Sequence, residues 1–382
     1  MESTAAGDGL RADVVRDIAG FDALADEWAQ LYADSPSATP FQSHAWLAAW
    51  ARAYPRGDRL RVVVVRSAGR LVAAAPLHLT RRGPWPVLAP LGGEITDAVD
   101  VLVAASAPPG AGAALTAALL GEPGWRVLDL PEVAPGAAVL PWSRSWPGRS
   151  TTVPASVCLE LPGVPVTEAL DRLPGRTAST LRRKLRKVDA LDVEVSTVPA
   201  DAVPDGVALL VRLHEEQWRG RGGNPEHLTP RFAAHLGEAL ARMVADGTAQ
   251  LVQYRVEGEV LAAQVLLLGH DALAYYLAGI SPRLRERVDV SSMLVAHDLA
   301  QTVAAGLPRY SMLRGLEDYK SRWRPEHVQQ QRVVLSRPGL LGGTGYPLAV
   351  RGRAAAVRLA KERAPGLRAV RDRLASLRGR RT

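Results

Sequence analysis

The feature that most constrains the fold of this chain is an internal repeat. Residues 60–79, LRVVVVRSAGRLVAAAPLHL, align without a gap with residues 249–268, AQLVQYRVEGEVLAAQVLLL, and share seven identities. Each segment predicts a β-hairpin, because two apolar runs flank a tight turn that contains Gly69 or Gly258. A repeat at an offset of 189 residues predicts two related folding units within one chain.

The segments around the two hairpins also repeat. In the first half, Leu24, Trp28 and Leu31 mark one helix and Ser43 caps a second, whereas in the second half Thr229 caps the corresponding second helix. Each hairpin is followed by a further strand, a helix and another strand. The shared order predicts an α/β (α+β) fold of two tandem units, each with a mixed, mostly antiparallel sheet flanked by helices.

This order predicts where the units begin and end. The segment 131–154 is rich in Pro, Gly and Ser and reads as a loop or crossover, and a basic amphipathic helix is expected over about 177–189. The predicted divisions are a disordered N-terminus (1–15), an N-terminal domain (16–165), a C-terminal domain (166–336) and a basic helical tail (337–382).

The net charge of +8 belongs to the tail rather than to the body. Residues 351–382 hold 11 Lys and Arg against two acids, so the other 350 residues carry a net charge of −1. Leu367, Val370, Leu374 and Leu377 form an apolar stripe in this tail, which could dock on an anionic membrane surface or contact tRNA. The nearly neutral body fits a small-molecule enzyme.

Other function classes are disfavoured. Cys158 is the only cysteine, which excludes an internal disulfide and gives no metal cluster. No nucleophile elbow, His-Glu-x-x-His motif or Walker loop is present. The apolar runs are far shorter than the ~18 residues that span a bilayer, so we expect a cytoplasmic protein, with the inner membrane face as a possible peripheral site.

Five segments of the chain carry a family resemblance. They are TPFQSHAWLAAW (39–50), LGGEITDAVDVLV (91–103), WRVLDLPEV (125–133), STLRRKLRKV (179–188) and LRGLEDYKSRW (313–323). Over about residues 20–335 the chain resembles the CelD/BcsL-like acetyltransferases, a tandem-GNAT family related to the Fem-type aminoacyltransferases. The resemblance implies transfer of an acyl group, acetyl above all, from acyl-CoA to an amine of an amino sugar, polysaccharide precursor or specialised metabolite, without a metal.

The resemblance departs at the expected phosphate site. GNAT enzymes hold the pyrophosphate at a helix N-terminus with a glycine-rich cradle, but residues 285–292 of the second unit contain no glycine. The matching stretch of the first unit, 107–112, supplies Gly-x-Gly without a leading Gln or Arg. The residues in the second unit that could still bind the cofactor are Arg285, Arg287, Ser291 and Ser292.

The segment 313–323 is the strongest candidate for a site, because charged and aromatic residues gather at the end of a strand. Lys320 is one of only four lysines, and its ammonium suits a phosphate or an acyl carbonyl. We expect Lys320 and Asp318 to be catalytic. The residues expected to contact substrate are Arg314, Glu317, Tyr319, Trp323, Trp218 and, from the family-like segment 91–103, Asp97 and Asp100.

Acid–base candidates lie on two other elements. Glu215 or Glu216, on the first helix of the second unit, could act as a general base, while the neighbouring His214 lies on the apolar stripe and is expected in the core. Tyr275 and Tyr276 fall on opposite faces of a strand, so one of them is expected to face the cleft and protonate the leaving thiolate.

Two hypotheses compete with an acyl-CoA-dependent enzyme. The missing glycine of the second unit, the basic helix over 176–187 and the basic tail favour an aminoacyl-tRNA donor, as in the Fem-like relatives. The other hypothesis is a non-catalytic tandem-GNAT scaffold protein. Loss of activity on Arg314→Ala or Lys320→Ala, with the fold intact, would exclude it.

Overall fold

The computed structural model describes residues 9–54, 59–219, 224–339 and 345–356. The strands are β1 Arg11–Val15, β2 Leu60–Ser67, β3 Arg70–Arg82, β4 Trp85–Pro90, β5 Leu102–Val103, β6 Val127–Val133, β7 Ser150–Pro162, β8 Glu194–Thr197, β9 Ala249–Val256, β10 Glu259–Leu268, β11 Ala272–Ile280, β12 Arg309–Arg314 and β13 Glu326–Ser336. The helices are α1 Ile18–Asp22, α2 Ala25–Asp34, α3 His44–Ala53, α4 Ala111–Gly121, α5 Val139–Arg144, α6 Val166–Asp171, α7 Gly175–Asp189, α8 Val203–Trp218, α9 Pro230–Ala245, α10 Pro282–Arg287, α11 Val290–Ala304 and α12 Asp318–Ser321.

The two repeated hairpins are present and share their turn geometry. Ala68 and Gly69 between β2 and β3 have φ of 49° and 77°, and Glu257 and Gly258 between β9 and β10 have φ of 52° and 81°. Two central residues with positive φ form the type I′ turn, whose twist matches that of antiparallel strands. The turns recur at the offset predicted from the sequence repeat.

The strands join into one sheet rather than two. Its order is β1-β2-β3-β4-β6-β13-β7-β12-β11-β10-β9-β8, and β5 pairs with β3. The pairings are antiparallel except for β4 with β6 and β11 with β12. The mixed, mostly antiparallel sheet with flanking helices confirms the predicted fold class.

The two halves exchange strands at the centre of this sheet. β13, which follows the second unit, pairs with β6 of the first unit, while β7, which follows the first unit, pairs with β12 of the second. β7 and β13 also pair with each other. The expected boundary between residues 165 and 166 therefore does not separate two independent sheets.

The helices cover both faces of the sheet. A large core lies between α2, α3, α8 and α9, where Trp28 and Trp46 of the first half meet Phe232 and Leu236 of the second. The predicted caps are found: the side chains of Ser43 and Thr229 accept hydrogen bonds from the backbone of α3 and α9. The central core thus also joins the two halves.

Several expectations of local structure were wrong. Residues 11–15, expected in a disordered N-terminus, form β1, because they pair with β2. The expected loop 131–154 contains α5 and the start of β7. β4 and β8 were missed, and the strand expected over 99–103 is limited to the two residues of β5.

Part of the predicted tail is described. Residues 345–356 are helical, and Tyr346 packs against Trp85 with ring centroids 5.5 Å apart. The apolar stripe from Leu367 to Leu377 lies outside the described residues. In the described part of the chain, no helix is both long and apolar enough to cross a membrane.

Candidate active site

A large cavity opens where two parallel strands separate. β11 and β12 pair only between Ala272–Ala274 and Arg309–Ser311 and then diverge. A cavity of about 760 Å³ begins at this divergence and extends to the ends of α8 and α11. Its size is within the usual range for small-molecule sites, and the unpaired edge of β11 leaves backbone groups available to a ligand.

The N-terminus of α11 at the cavity wall is occupied by a carboxylate. Asp289 is the N-cap, and its Oδ1 accepts hydrogen bonds from the backbone N–H of Ser292 (3.0 Å) and the hydroxyl of Ser291 (2.9 Å). Lys184 of α7 forms an ion pair with Asp289, and Arg322 lies 3.3 Å from the same carboxylate. Burial opposes ionisation, but these hydrogen bonds outweigh it and lower the pKa of Asp289.

The opposite wall is formed by the last turns of α8. His214, Gln217 and Trp218 line the cavity because positions i, i+3 and i+4 share one helix face. Gly279 of β11 lets α8 approach closely, since a Cβ there would lie 2.3 Å from the carbonyl oxygen of Leu210. Nδ1 of His214 consequently donates a hydrogen bond to the carbonyl oxygen of Ala278 at 2.8 Å.

The structure brings together many, though not all, of the residues expected at the site. Those that line the cavity are Asp97, Trp218, Tyr275, Tyr276, Arg285, Ser291, Arg314, Glu317, Tyr319 and Lys320. Those that do not line it are Asp100, Glu215, Glu216, Arg287, Ser292, Asp318 and Trp323.

Helix geometry places Glu215 and Glu216, the predicted bases, away from the cavity. Glu215 is exposed and Glu216 is half-buried, and both side chains lie off the face of α8 that carries His214. Asp318 is likewise exposed in the first turn of α12. His214, which the apolar stripe assigned to the core, is buried and also lines the cavity.

Four other expected site residues do not line the cavity and make structural contacts instead. Trp323 is 3% exposed and packs in the core beneath α11. Asp100 accepts hydrogen bonds from the backbone N–H groups of Ala138 and Val139, which fixes the start of α5. The remaining two are Ser292, bonded to Asp289, and Arg287, paired with Glu257 at 2.8 Å.

Arg314 and Lys320 line the cavity but already have partners. Nε of Arg314 lies 2.5 Å from Oδ1 of Asp97, so it clamps the end of β12 to the first half of the chain. Nζ of Lys320 donates to the carbonyl oxygens of Met312 (2.9 Å) and Arg314 (3.0 Å) and pairs with Glu317. Leu313, which lies between Met312 and Arg314, has φ of 52°, a strained value for a leucine, at the point where β12 leaves the sheet.

Both tyrosines of β11 line the cavity, contrary to the expected alternation. The pairing of β10 with β11 slips at this point, and Tyr276 is the unpaired residue of a β-bulge, which turns its side chain. The hydroxyl of Tyr276 donates to the carbonyl oxygen of Ile95 at 2.9 Å. The hydroxyls of Tyr275 and Tyr319 are hydrogen-bonded to one another, and burial raises the pKa of Tyr275, which therefore stays protonated.

A buried carboxylate lies behind the cavity wall. Asp298 of α11 accepts hydrogen bonds from the hydroxyl of Tyr310 and from Nε2 of Gln264, each at 2.6 Å. It has no exposed surface, and burial raises its pKa to about 7. Tyr310 lines the cavity, so this network supports the wall from behind.

The corresponding region of the first half is filled by side chains. Nε1 of Trp142 on α5 donates to the carbonyl oxygen of Gly112 (3.0 Å) and to the hydroxyl of Thr116 (2.9 Å) on α4. A Cβ at Gly112 would lie 3.2 Å from Trp142. The Gly-x-Gly stretch of the first unit is therefore covered by an indole ring, and the open cavity belongs to the second unit.

Sequence reasoning missed several cavity residues. They are His214, Gln217, Asn224, His227, Asp289 and Tyr310. The spacing of His214, Gln217 and Trp218 was a usable signal, but a helical stripe does not distinguish a core from a cavity wall. Among the described residues, no group of three or more His, Cys, Asp or Glu side chains could hold a metal ion.

Comparison with known proteins agrees with this location. Residues 175–321, which contain α8 to α12, match the model of an acetyltransferase (GNAT) domain. FemX is 11% identical, with a TM-score of 0.60, covering 82% of this chain and 96% of its own. A conserved protein of unknown function from Bacteroides thetaiotaomicron is 12% identical, with a TM-score of 0.56, covering 85% of this chain and all of its own.

A third similar structure is the C-terminal domain of a putative lysylphosphatidylglycerol synthetase from Agrobacterium fabrum. It is 13% identical, with a TM-score of 0.53, and covers 88% of this chain and 96% of its own. A search of curated protein sequences finds no significant match. Similarities at these identities establish a shared fold. The matched domain makes this chain an acyltransferase, and the similar structures extend the shared fold over most of its length.

Proposed function

We propose that this protein is an N-acyltransferase that moves an acyl group, acetyl above all, from acyl-CoA to an amine bound in the cavity between β11 and β12. The observation that carries the proposal is the divergence of these parallel strands onto a cavity of about 760 Å³ within the segment that matches an acetyltransferase domain. An amino sugar, a polysaccharide precursor or a specialised metabolite is the proposed acceptor, in line with the resemblance to CelD/BcsL-like enzymes.

The cavity residues supply the parts that acyl transfer needs. The free edge of β11 can pair with the extended arm of the donor, which positions the thioester near Tyr275. The protonated hydroxyl of Tyr275 can give a proton to the departing thiolate. Arg285 lies in the same wall as the N-terminus of α11, at the end where a phosphate group of the donor would lie.

Thiol release measures this activity directly. The purified protein is mixed with acetyl-CoA and a panel of amines that includes glucosamine and its nucleotide derivatives, and free thiol is followed by absorbance. We expect thiol release that requires both the protein and an amine. Absence of thiol release, together with absence of CoA binding by calorimetry, would reject acyl-CoA as the donor.

An aminoacyl-tRNA donor is the second candidate, and Asp289 favours it. A carboxylate at the N-terminus of α11 opposes a pyrophosphate there, because two anions would compete for the same helix end. The helix α7, which holds Lys184 against Asp289, also carries exposed Arg182, Arg183 and Arg186. These exposed arginines fit a polyanionic donor.

Salt dependence distinguishes the two donors. If RNA is the donor, tRNA binding weakens steeply between 50 and 200 mM salt, as expected when several phosphates are neutralised. Charge reversal at Arg182 and Arg186 then weakens tRNA binding without altering thiol release from acetyl-CoA. Binding that is insensitive to salt would reject the RNA donor.

A further inference from the structure

One end of the cavity is lined by hydrogen-bonding atoms that have no partner in the described part of the chain. Oε1 of Gln217 and Nδ1 of His227 are buried and unpaired there. His214 is 6% exposed, and its only hydrogen bond among the described residues is the one from Nδ1 to Ala278. Buried polar atoms in proteins are normally paired, so their clustering at one wall indicates a missing polar ligand.

The hydrogen bond to Ala278 fixes the tautomer of His214. A carbonyl oxygen only accepts, so Nδ1 carries the proton and Nε2 of a neutral ring carries a lone pair. Gln217 lies one turn further along α8 and lines the same cavity, and its Oε1 has no partner among the described residues. Two acceptors on one helix face match a group with at least two N–H donors, which describes a primary amine or its ammonium form.

The surroundings of His214 keep it neutral. Burial lowers its pKa despite the bond to Ala278. His227, from the turn before α9, lies with its ring centroid 5.4 Å from that of His214 and is itself held neutral by burial, which lowers its pKa to about 4. From β11 and β12 the cavity is also lined by Tyr276 and by Arg314, whose charge is paired with Asp97.

We propose that the last turns of α8 form the acceptor-amine site, in which Nε2 of His214 and Oε1 of Gln217 bind the amine and His214 removes its proton. This inference rests on the proposed function, since it names where the amine of that reaction binds. Trp218, at the following position of the same face, offers an aromatic wall to the ammonium form before that form loses a proton to solvent.

The amine lone pair attacks the carbonyl carbon of the thioester and forms the new C–N bond. A proton passes from the nitrogen to Nε2 of His214, and the imidazolium keeps its Nδ1–H bond to Ala278. The C–S bond then breaks, and the sulfur leaves as a thiolate that takes the proton of the Tyr275 hydroxyl. The imidazolium releases its Nε2 proton to solvent and Tyr275 takes one back from solvent, which restores both groups.

The test compares His214→Asn with the matched control His270→Gln, an exposed histidine on the loop after β10. Asparagine can keep the hydrogen bond to Ala278 through its amide nitrogen but lacks the basic Nε2. With acetyl-CoA and a turned-over amine, we expect His214→Asn to lower kcat/KM by about 10²- to 10⁴-fold and to abolish the acidic limb of the pH profile. Gln217→Leu should raise the KM for the amine, with a smaller effect on kcat.

The results of this experiment distinguish failure of the amine site from failure of the proposed acyltransferase activity. If the wild-type protein is active and His214→Asn stays within threefold of it with the same acidic limb, the amine site proposed on α8 is wrong and the acyltransferase assignment stands. If the wild-type protein transfers no acyl group to any amine, both proposals fall. Thermal unfolding of each variant shows whether a loss of activity results from a loss of folded structure.

Discussion

Lys320 is a charged side chain with almost no exposed surface, at 3%. Its ammonium satisfies two carbonyl oxygens of the strand end, on Met312 and Arg314, as well as the carboxylate of Glu317. A lysine that was expected to be catalytic therefore holds the loop after β12 in place. Its removal would disturb the cavity indirectly, so loss of activity in a Lys320 variant does not by itself identify a catalytic group.

We predict that Lys320→Met lowers the free energy of unfolding by about 3 kcal/mol, because two buried carbonyl oxygens lose their donor. Urea denaturation followed by circular dichroism measures this loss. Asp318→Asn, at an exposed position two residues earlier, is the matched control and should stay within about 0.5 kcal/mol of wild type. Equal stability of the Lys320 and Asp318 variants would contradict the anchoring role.

Asp298 gives a stability effect whose sign follows from burial. Its pKa is about 7 in the folded protein against 3.8 as the ordinary value, so the folded state binds the proton more tightly. This contribution to stability is fully present below about pH 4 and is lost as the pH rises through about 7.

Asp298→Asn keeps a neutral side chain at every pH and removes this dependence. Between pH 5 and pH 8, we expect the unfolding free energy of Asp298→Asn to gain about 3 kcal/mol relative to wild type. Chemical denaturation of both proteins at the two pH values tests this, since all other titrating groups cancel in the difference. A difference that does not change with pH would mean that Asp298 titrates normally.

At the scale of elements, α11 differs from a phosphate-binding helix by its cap. Asp289 occupies the backbone N–H of Ser292, which a pyrophosphate would otherwise use, and it pairs with Lys184 and Arg322. Replacement of this carboxylate by an amide keeps a good N-cap and leaves both cations without their anion.

We therefore predict that Asp289→Asn tightens CoA binding at least tenfold, which corresponds to about 1.4 kcal/mol. Calorimetric titration of CoA into both proteins measures this, and Asp192→Asn, at an exposed turn, is the control. Unchanged affinity would show that the pyrophosphate of CoA does not approach α11.

The sequence predicted local elements well, and long-range pairings poorly. The hairpins and caps follow from alternation, turn residues and Ser or Thr before a helical stripe, all of which are local. The insertion of β13 between β6 and β7 depends on contacts between residues distant in sequence, and no local pattern encodes it. The bulge that turns Tyr276 into the cavity is a further property of pairing rather than of the strand itself.

The candidate site was predicted only in part, again because some of its contacts join residues that are distant in sequence. The segment 313–323 drew attention through its charged residues, and the structure places most of them at the cavity wall. Their ion pairs with the first half, such as Arg314 with Asp97, could not be read from one segment. His214 was hidden because a cavity-lining residue and a core residue occupy the same helical stripe.

At the scale of the whole molecule, the exchange of β7 and β13 joins the two halves into one sheet. We predict a single unfolding transition in urea, because neither half can complete its strand order alone. Seven of the nine tryptophans lie in residues 28–146, so tryptophan fluorescence reports mainly on the first half. Its midpoint should coincide with that of circular dichroism, and two separate midpoints would contradict the shared-sheet account.

The central claim is that acyl transfer takes place in the cavity between β11 and β12. Ser291 lines this cavity, whereas Ser196 is exposed on the edge strand β8. The most direct measurement is the rate of amine acylation by acetyl-CoA for wild type, Ser291→Trp and Ser196→Trp. The account predicts at least a hundredfold loss for Ser291→Trp and an unchanged rate for Ser196→Trp. Equal rates for all three proteins would place the reaction elsewhere.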